Sequence, residues 1–355
     1  MKRKIKSGFN VLRKPLNVNE TPIHIQLEPT TACNLACRTC PHEEYIKTAR
    51  HLSLDNFKRI YDQIKPQKIT LSGLGEPFSN PRLPEMIRYA KDRGTSINTT
   101  SNLTLISKSL AEKIVDSGLD LIKVSIDAAQ ADTYIKIRDE DHHKSIVDGI
   151  VLINEFKKKK NVNHPAIRFN FVVQGANFRE MGSLVELADK IGVEAIYFQP
   201  LELVGIEDKK DEIVGDMTEA SLLTELKRAH KRAGELSLNT NLSTMLGNFD
   251  AFWKKYVLVG SQKDNRICPL PWFSTYITVD GDVRPCCSFP INPEANMGNI
   301  LKEDFKDIWN GERYKKFRTA IRSGKRPYKI CQNCVPKTLA DIIKYSKILP
   351  GFFGE

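Results

Sequence analysis

Three cysteines, Cys33, Cys37 and Cys40, stand at C-x3-C-x2-C spacing just after the apolar run Ile23 to Leu27. Thiolates are soft ligands, and three on one short loop can hold three irons of a cubane iron–sulfur cluster. A cluster ligated wholly by protein takes four cysteines. Here the fourth iron is left open, and an open metal position is where a substrate or cosubstrate binds. The competing reading is a zinc site or a group of unpaired core thiols. Zinc usually takes thiolates in C-x2-C pairs, so the wider first gap speaks against it.

This loop, placed at the end of a first strand, resembles the cluster motif of the radical S-adenosylmethionine (SAM) superfamily. The resemblance implies a [4Fe-4S] cluster on Cys33, Cys37 and Cys40. Its open iron would take SAM through the amino and carboxylate groups, and one electron would split SAM to methionine and a 5′-deoxyadenosyl radical. A second segment, Leu71-Ser72-Gly73-Leu74-Gly75-Glu76-Pro77, follows the next strand. Glycines let backbone approach a ligand closely, and a carboxylate accepts from an ammonium. The segment resembles the family's Gly-Gly-Glu-Pro, which implies that Gly73, Gly75, Glu76 and Pro77 hold the SAM amino group. Leu74 looks inserted between the two glycines. The alternative is an ordinary strand-to-helix turn.

A third set is Ser101-Asn102, Ser125-Ile126-Asp127 and Arg138. Hydroxyl and carboxylate groups at strand ends are placed to hydrogen-bond a ribose. The resemblance implies that Asn102, Ser125, Asp127 and Arg138 contact the SAM ribose and carboxylate. Against this, Asp127 could cap the next helix and Asn102 could sit in a turn. Gln199, beside Pro200, lines the pocket or is a plain loop residue.

The other five cysteines fall in the last third. Cys268 precedes Pro269, and Thr275 to Val279 reads as a strand. Asp280-Gly281 signals a hairpin that leads back to Cys286 and Cys287, and Cys331-Gln332-Asn333-Cys334 follows far downstream. Such a set can converge as four thiolates around a cluster or zinc. It resembles the SPASM or twitch extension of radical SAM enzymes. Two fully thiolate-ligated clusters would need more cysteines, so the expectation is one auxiliary [4Fe-4S] cluster on Cys268, Cys286, Cys331 and Cys334. Cys287 is then the spare, although register could exchange it with Cys286.

The elements that must position these groups alternate. Strands are expected near 23–27, 68–72, 96–101, 121–127, 167–173 and 195–199, and helices at 54–64, 83–93, 105–117, 145–159 and 178–191. That alternation implies an α/β fold with a parallel sheet and right-handed crossovers, and ligands at the strand C-terminal ends. The expected architecture is a partial (β/α)6 TIM-like barrel with a small C-terminal iron–sulfur domain. Its parts are a basic, mobile lead-in at 1–20, the radical SAM core at 21–205, connecting helices at 206–265, the SPASM/twitch-like region at 266–335, and a C-terminal helix and tail at 336–355. Phe249, Phe252, Trp253 and Tyr256 lie three or four apart, as on a helix face packed against the barrel.

Composition bounds the rest. The chain has 355 residues, 41% of them apolar, eight cysteines and a net charge of +11. No apolar stretch approaches the ~20 residues of a membrane span, and the basic start leads into no apolar signal core. Cysteines in such a chain point to reduced thiols on metal and to the cytoplasm. The positives are spread over the N-terminus, Lys157 to Lys160 and the region of Lys315, Lys316 and Arg318. Without interleaved aromatics they make a poor nucleic-acid surface. The expected function is hydrogen-atom abstraction for oxidation or maturation of a small molecule or peptide, with electrons from a donor such as flavodoxin or ferredoxin. Only 32 residues precede Cys33, too few for the peptide-recognition domain of many peptide-modifying relatives. The alternatives are an RNA-modifying radical SAM enzyme and a non-catalytic zinc or iron–sulfur scaffold.

Overall fold

The computed structural model describes residues 2–37, 40–201, 209–257, 267–288, 292–332 and 334. Six short strands follow the expected alternation: β1 (His24–Leu27), β2 (Lys68–Leu71), β3 (Ser96–Ser101), β4 (Leu121–Ser125), β5 (Ala166–Val173) and β6 (Ala195–Pro200). Each pairs in parallel with the next. A two-residue strand, β7 (Asn239–Thr240), extends the β6 edge.

Helices cover the outer face because their apolar residues recur on one side. In Leu54–Ile64 the buried residues are Phe57, Ile60, Tyr61 and Ile64, and Ser53 Oγ accepts from Asn56 N to start the helix. Ser107 does the same for Lys108–Ser117, and Gly118 ends it with φ 77°, a left-handed turn that glycine adopts without strain. Ile69, Leu71, Ile97, Ile122, Val124, Ile167, Phe169 and Phe171 face these helices and are fully buried. This is the partial TIM-like barrel expected from the alternation.

The C-terminal region does not stand apart from that sheet. β8 (Ser274–Ile277) pairs in parallel with β1, His24 opposite Ser274 and Leu27 opposite Ile277. β9 (Asp282–Arg284) and β10 (Gly298–Asn299) continue antiparallel, giving the order β10-β9-β8-β1-β2-β3-β4-β5-β6-β7. The expected Asp280-Gly281 turn is there, with Gly281 at φ 84°. The expected aromatic helix is Phe249–Val257, and the Tyr256 hydroxyl donates to Val173 O at 2.6 Å.

The reading of 1–20 as a mobile lead-in is corrected. Lys2–Arg13 is a helix. The segment after it is clamped to the C-terminal region: Trp272 Nε1 donates to Pro15 O, Val18 N to Asn310 Oδ1, and Trp309 Nε1 to Glu20 O. Arg318, fully buried, lies 4.4 Å from the Trp309 ring centroid and donates to Leu16 O, Pro271 O and Trp309 O. The bonds that reach Pro15, Leu16, Val18 and Glu20 span some 250 to 300 residues, so no local pattern announces them. The C-terminal helix and tail expected at 336–355 lie outside the described residues.

Candidate active site at the strand C-terminal ends

The three loops that carry the first cysteines, the glycine segment and Asn102 meet above β1, β2 and β3. Glu28, which follows β1 directly, joins two of them to the C-terminal region. Its carboxylate accepts from Leu74 N and from Val279 N, both at 3.1 Å. Burial raises its pKa, and those two amides partly offset the rise. Sequence reasoning missed Glu28. Its signal was an acid between a strand and Pro29. Leu74, which looked inserted, is held by this carboxylate.

The path into Cys33 is fixed by local bonds. Thr30 Oγ1 donates to Arg50 O and accepts from Ala32 N, both at 2.9 Å. Gly75 lies against this strip. A Cβ there would stand 2.5 Å from Thr30 O and 2.6 Å from Ala32 O, so only glycine lets the two backbones touch. Glu76 N donates to Ala32 O at 2.8 Å. Pro77 opens a short 3-10 turn behind it.

Glu76 is 3% exposed. Its carboxylate accepts from Ser101 Oγ at 2.7 Å, Asn102 N at 2.7 Å and Phe78 N at 3.1 Å. Burial outweighs these donors and pushes its pKa up to about 7. Asn102 sits in a turn and also reaches the cysteine loop. Its Oδ1 accepts from Thr104 N in a turn, while its Nδ2 donates to Asn34 Oδ1 in the cysteine loop at 3.1 Å.

Across the rim, Asp127 does not cap the next helix. Ala129 N and Gln130 N are taken by Glu180 instead. The Asp127 carboxylate accepts from Val172 N at 3.0 Å and pairs with Arg138 Nη2. Arg138 Nη1 donates to Cys37 Sγ at 3.1 Å. Burial alone would lower the Arg138 pKa, but Asp127 and Cys37 carry it above the usual range. Ser125 ends β4 two residues before Asp127, opposite Asn170 of β5. Gln199 sits on β6 opposite Val172.

The eight cysteines form no disulfide. They gather in two groups. Cys33 feels Cys37, Cys40 and Glu76, and burial first and then these neighbours raise its pKa. Burial and then Cys37 raise that of Cys40. In the second group burial pushes Cys268 up to about 12, with Cys334 and Cys331 adding to it. Burial also raises Cys286, helped by Cys287 and Cys268. Cys331 is buried, whereas Cys287 is exposed.

Residues 27–188 match the radical SAM superfamily, and residues 268–335 match an iron–sulfur cluster-binding domain, SPASM. The chain carries a radical SAM domain with a C-terminal SPASM region. Its cofactors are SAM, a [4Fe-4S] cluster and auxiliary iron–sulfur.

Two curated relatives match over most of the chain. One, from Pyrococcus furiosus, is named tungsten-containing aldehyde ferredoxin oxidoreductase cofactor-modifying protein. It is 24% identical over 344 residues, covering 92% of this chain and 90% of its own. The other is the AdoMet-dependent heme synthase of Methanosarcina barkeri, 26% identical over 332 residues, covering 85% and 86%. Among solved structures, Streptococcus suis SuiB bound to its precursor peptide SuiA shares the fold. It has a TM-score of 0.64 at 15% identity, covering 97% of this chain and 77% of SuiB.

The residues present fit these groups. These thiols resist ionisation first because burial penalises the thiolate and then because neighbouring thiolates would repel, and cationic iron offsets both. Among the described residues no three of His, Cys, Asp and Glu close to the distances of a single bound ion. Cubane ligands sit on separate irons and need no such closure.

Proposed function

We propose that the chain is a SAM-cleaving oxidoreductase or maturase that abstracts a hydrogen atom from a small molecule or a peptide. The observation that supports it best is the junction at Cys33. The strip entering that cysteine is packed on Gly75, bonded to Glu76 N and backed by Arg138 on Cys37. When bound, the cluster supplies the electron that cleaves SAM to methionine and a 5′-deoxyadenosyl radical.

Cys33, Cys37 and Cys40 hold three irons in this reading and leave the fourth for SAM. Glu76 Oε2, which takes Asn102 N, keeps a lone pair for the SAM ammonium. Asn102 and Ser125 face the ribose, while Asp127 fixes Arg138. Arg138 positions Cys37, and a donor on a ligating sulfur tunes a cluster's potential. Cys268, Cys286, Cys331 and Cys334 hold one auxiliary cluster, which supplies an acceptor for the electron left on the substrate. Exposed Cys287 is the spare. A small acidic protein such as flavodoxin or ferredoxin suits the basic surface as electron donor. Among the described residues no helix is long and apolar enough to cross a membrane.

Acidity tests the role of Glu76. Its pKa of about 7 lies above the ordinary 4.5, so the unliganded fold holds this proton more tightly than the unfolded chain does. The stability it lends is present below 4.5 and lost as pH rises through about 7. SAM binding runs the other way, because an ammonium needs the carboxylate. SAM affinity is therefore expected to fall by up to about tenfold per unit as pH drops below 7. Glu76→Gln is expected to weaken binding by about 1.5–3 kcal/mol and to flatten the pH profile. Equilibrium dialysis from pH 5.5 to 8 measures both. Equal affinity of the two proteins across that range would return Glu76 to a purely structural part.

A further inference from the structure

The helix Lys2–Arg13 has no part in the site described above. Its inner face is Ser7 and Val11, 4% and 7% exposed. The Arg3 guanidinium fastens it by donating to Thr21 O, Pro22 O, Ile64 O and Lys65 O. Those carbonyls precede β1 and β2, at the end of the barrel opposite the cysteine loops.

The outer face carries an apolar stripe. Ile5, Phe9 and Leu12 are 52%, 51% and 64% exposed. They are three of the seven large apolar side chains exposed among the described residues, and the other four are scattered singly. Spacing of four and then three residues puts them on one side of the helix. The sequence around them is wholly basic. Lys2, Arg3, Lys4, Lys6, Arg13 and Lys14 occur before the first acid, Glu20. Lys6 remains 65% exposed despite its pairing with Glu20, and the Arg13 guanidinium lies 5.5 Å from the Phe9 ring centroid.

We propose that this helix docks the protein peripherally on an anionic bilayer surface. An exposed apolar stripe flanked by cations fits the boundary between acyl chains and acidic headgroups. Three side chains are too few to hold a protein on a neutral bilayer, so the positive charge is needed. The same charge argues against a second copy as the occupant, because two such helices face to face would repel. Docking by this end leaves the rim with Cys33, Glu76 and Arg138 turned away from the lipid, open to substrate and electron donor.

Flotation of the full chain with vesicles tests the proposal. The chain is expected to float with phosphatidylcholine vesicles containing phosphatidylglycerol, and not with phosphatidylcholine alone. Raised salt should release it, since screening shortens the reach of the charges. The variant carrying Phe9→Glu and Leu12→Glu should stay in solution with its thermal unfolding and SAM cleavage unchanged, because both side chains are exposed. Failure of the unaltered chain to float with the anionic vesicles would overturn the proposal. So would flotation of the variant as strong as that of the parent. A parent that sediments as a dimer while the variant is a monomer would assign the stripe to a second copy instead.

Discussion

Cys37→Ala is expected to abolish release of 5′-deoxyadenosine from SAM in reduced, reconstituted protein. With two thiols left on the loop, one more iron loses its protein ligand, and a cubane so held is not retained. Cys37 also anchors the chain of contacts through Arg138 to Asp127, so its loss leaves a buried guanidinium without its sulfur partner. The expected fall is to the level of protein without iron, and Cys33→Ala and Cys40→Ala should match it. Thermal unfolding of the metal-free variants separates loss of the cluster from loss of the fold. A folded Cys37→Ala protein that still forms 5′-deoxyadenosine would remove these three cysteines from the reaction.

The second large effect concerns the distant group. Changing Cys331 and Cys334 together to alanine is expected to lower the iron bound after reconstitution from about eight to about four atoms per chain, one cubane fewer. Release of 5′-deoxyadenosine should survive, because the first three cysteines lie on a different loop. Oxidised product, once a substrate is in hand, should disappear. Unchanged iron content in the double variant would show that these two thiols hold no cluster. Product formed at the parent's rate would remove the electron-accepting role.

Much of this architecture is written locally. The helix Leu54–Ile64 has the limits that Ser53 and the spacing of Phe57, Ile60 and Ile64 imply, and Ser96–Ser101 is a strand as read. The cysteine spacings were legible because a metal cluster constrains residue type and distance along the chain. What stayed hidden depends on distant partners. Lys2–Arg13 read as part of a mobile lead-in because Arg3 finds its carbonyls 18 to 62 residues away. Parallel pairing of β8 with β1 joins residues about 250 apart, so the SPASM hairpin extends the barrel sheet instead of folding beside it. Glu28 escaped notice because its two donors, Leu74 N and Val279 N, lie 46 and 251 residues downstream. The expected helix at 178–191 divides into a 3-10 turn at Phe178–Glu180 and a helix from Met181, where Glu180 turns its carboxylate to Ala129 and Gln130.

The central claim is that the strip entering Cys33, gripped by Gly75 and Glu76, presents an open iron to SAM. Anaerobic reconstitution with iron and sulfide, reduction, and electron paramagnetic resonance with and without SAM test it most directly. The account predicts a reduced cubane signal that changes on adding SAM, followed by methionine and 5′-deoxyadenosine in equal amounts. A reduced cluster whose spectrum ignores SAM and which releases no 5′-deoxyadenosine would contradict it.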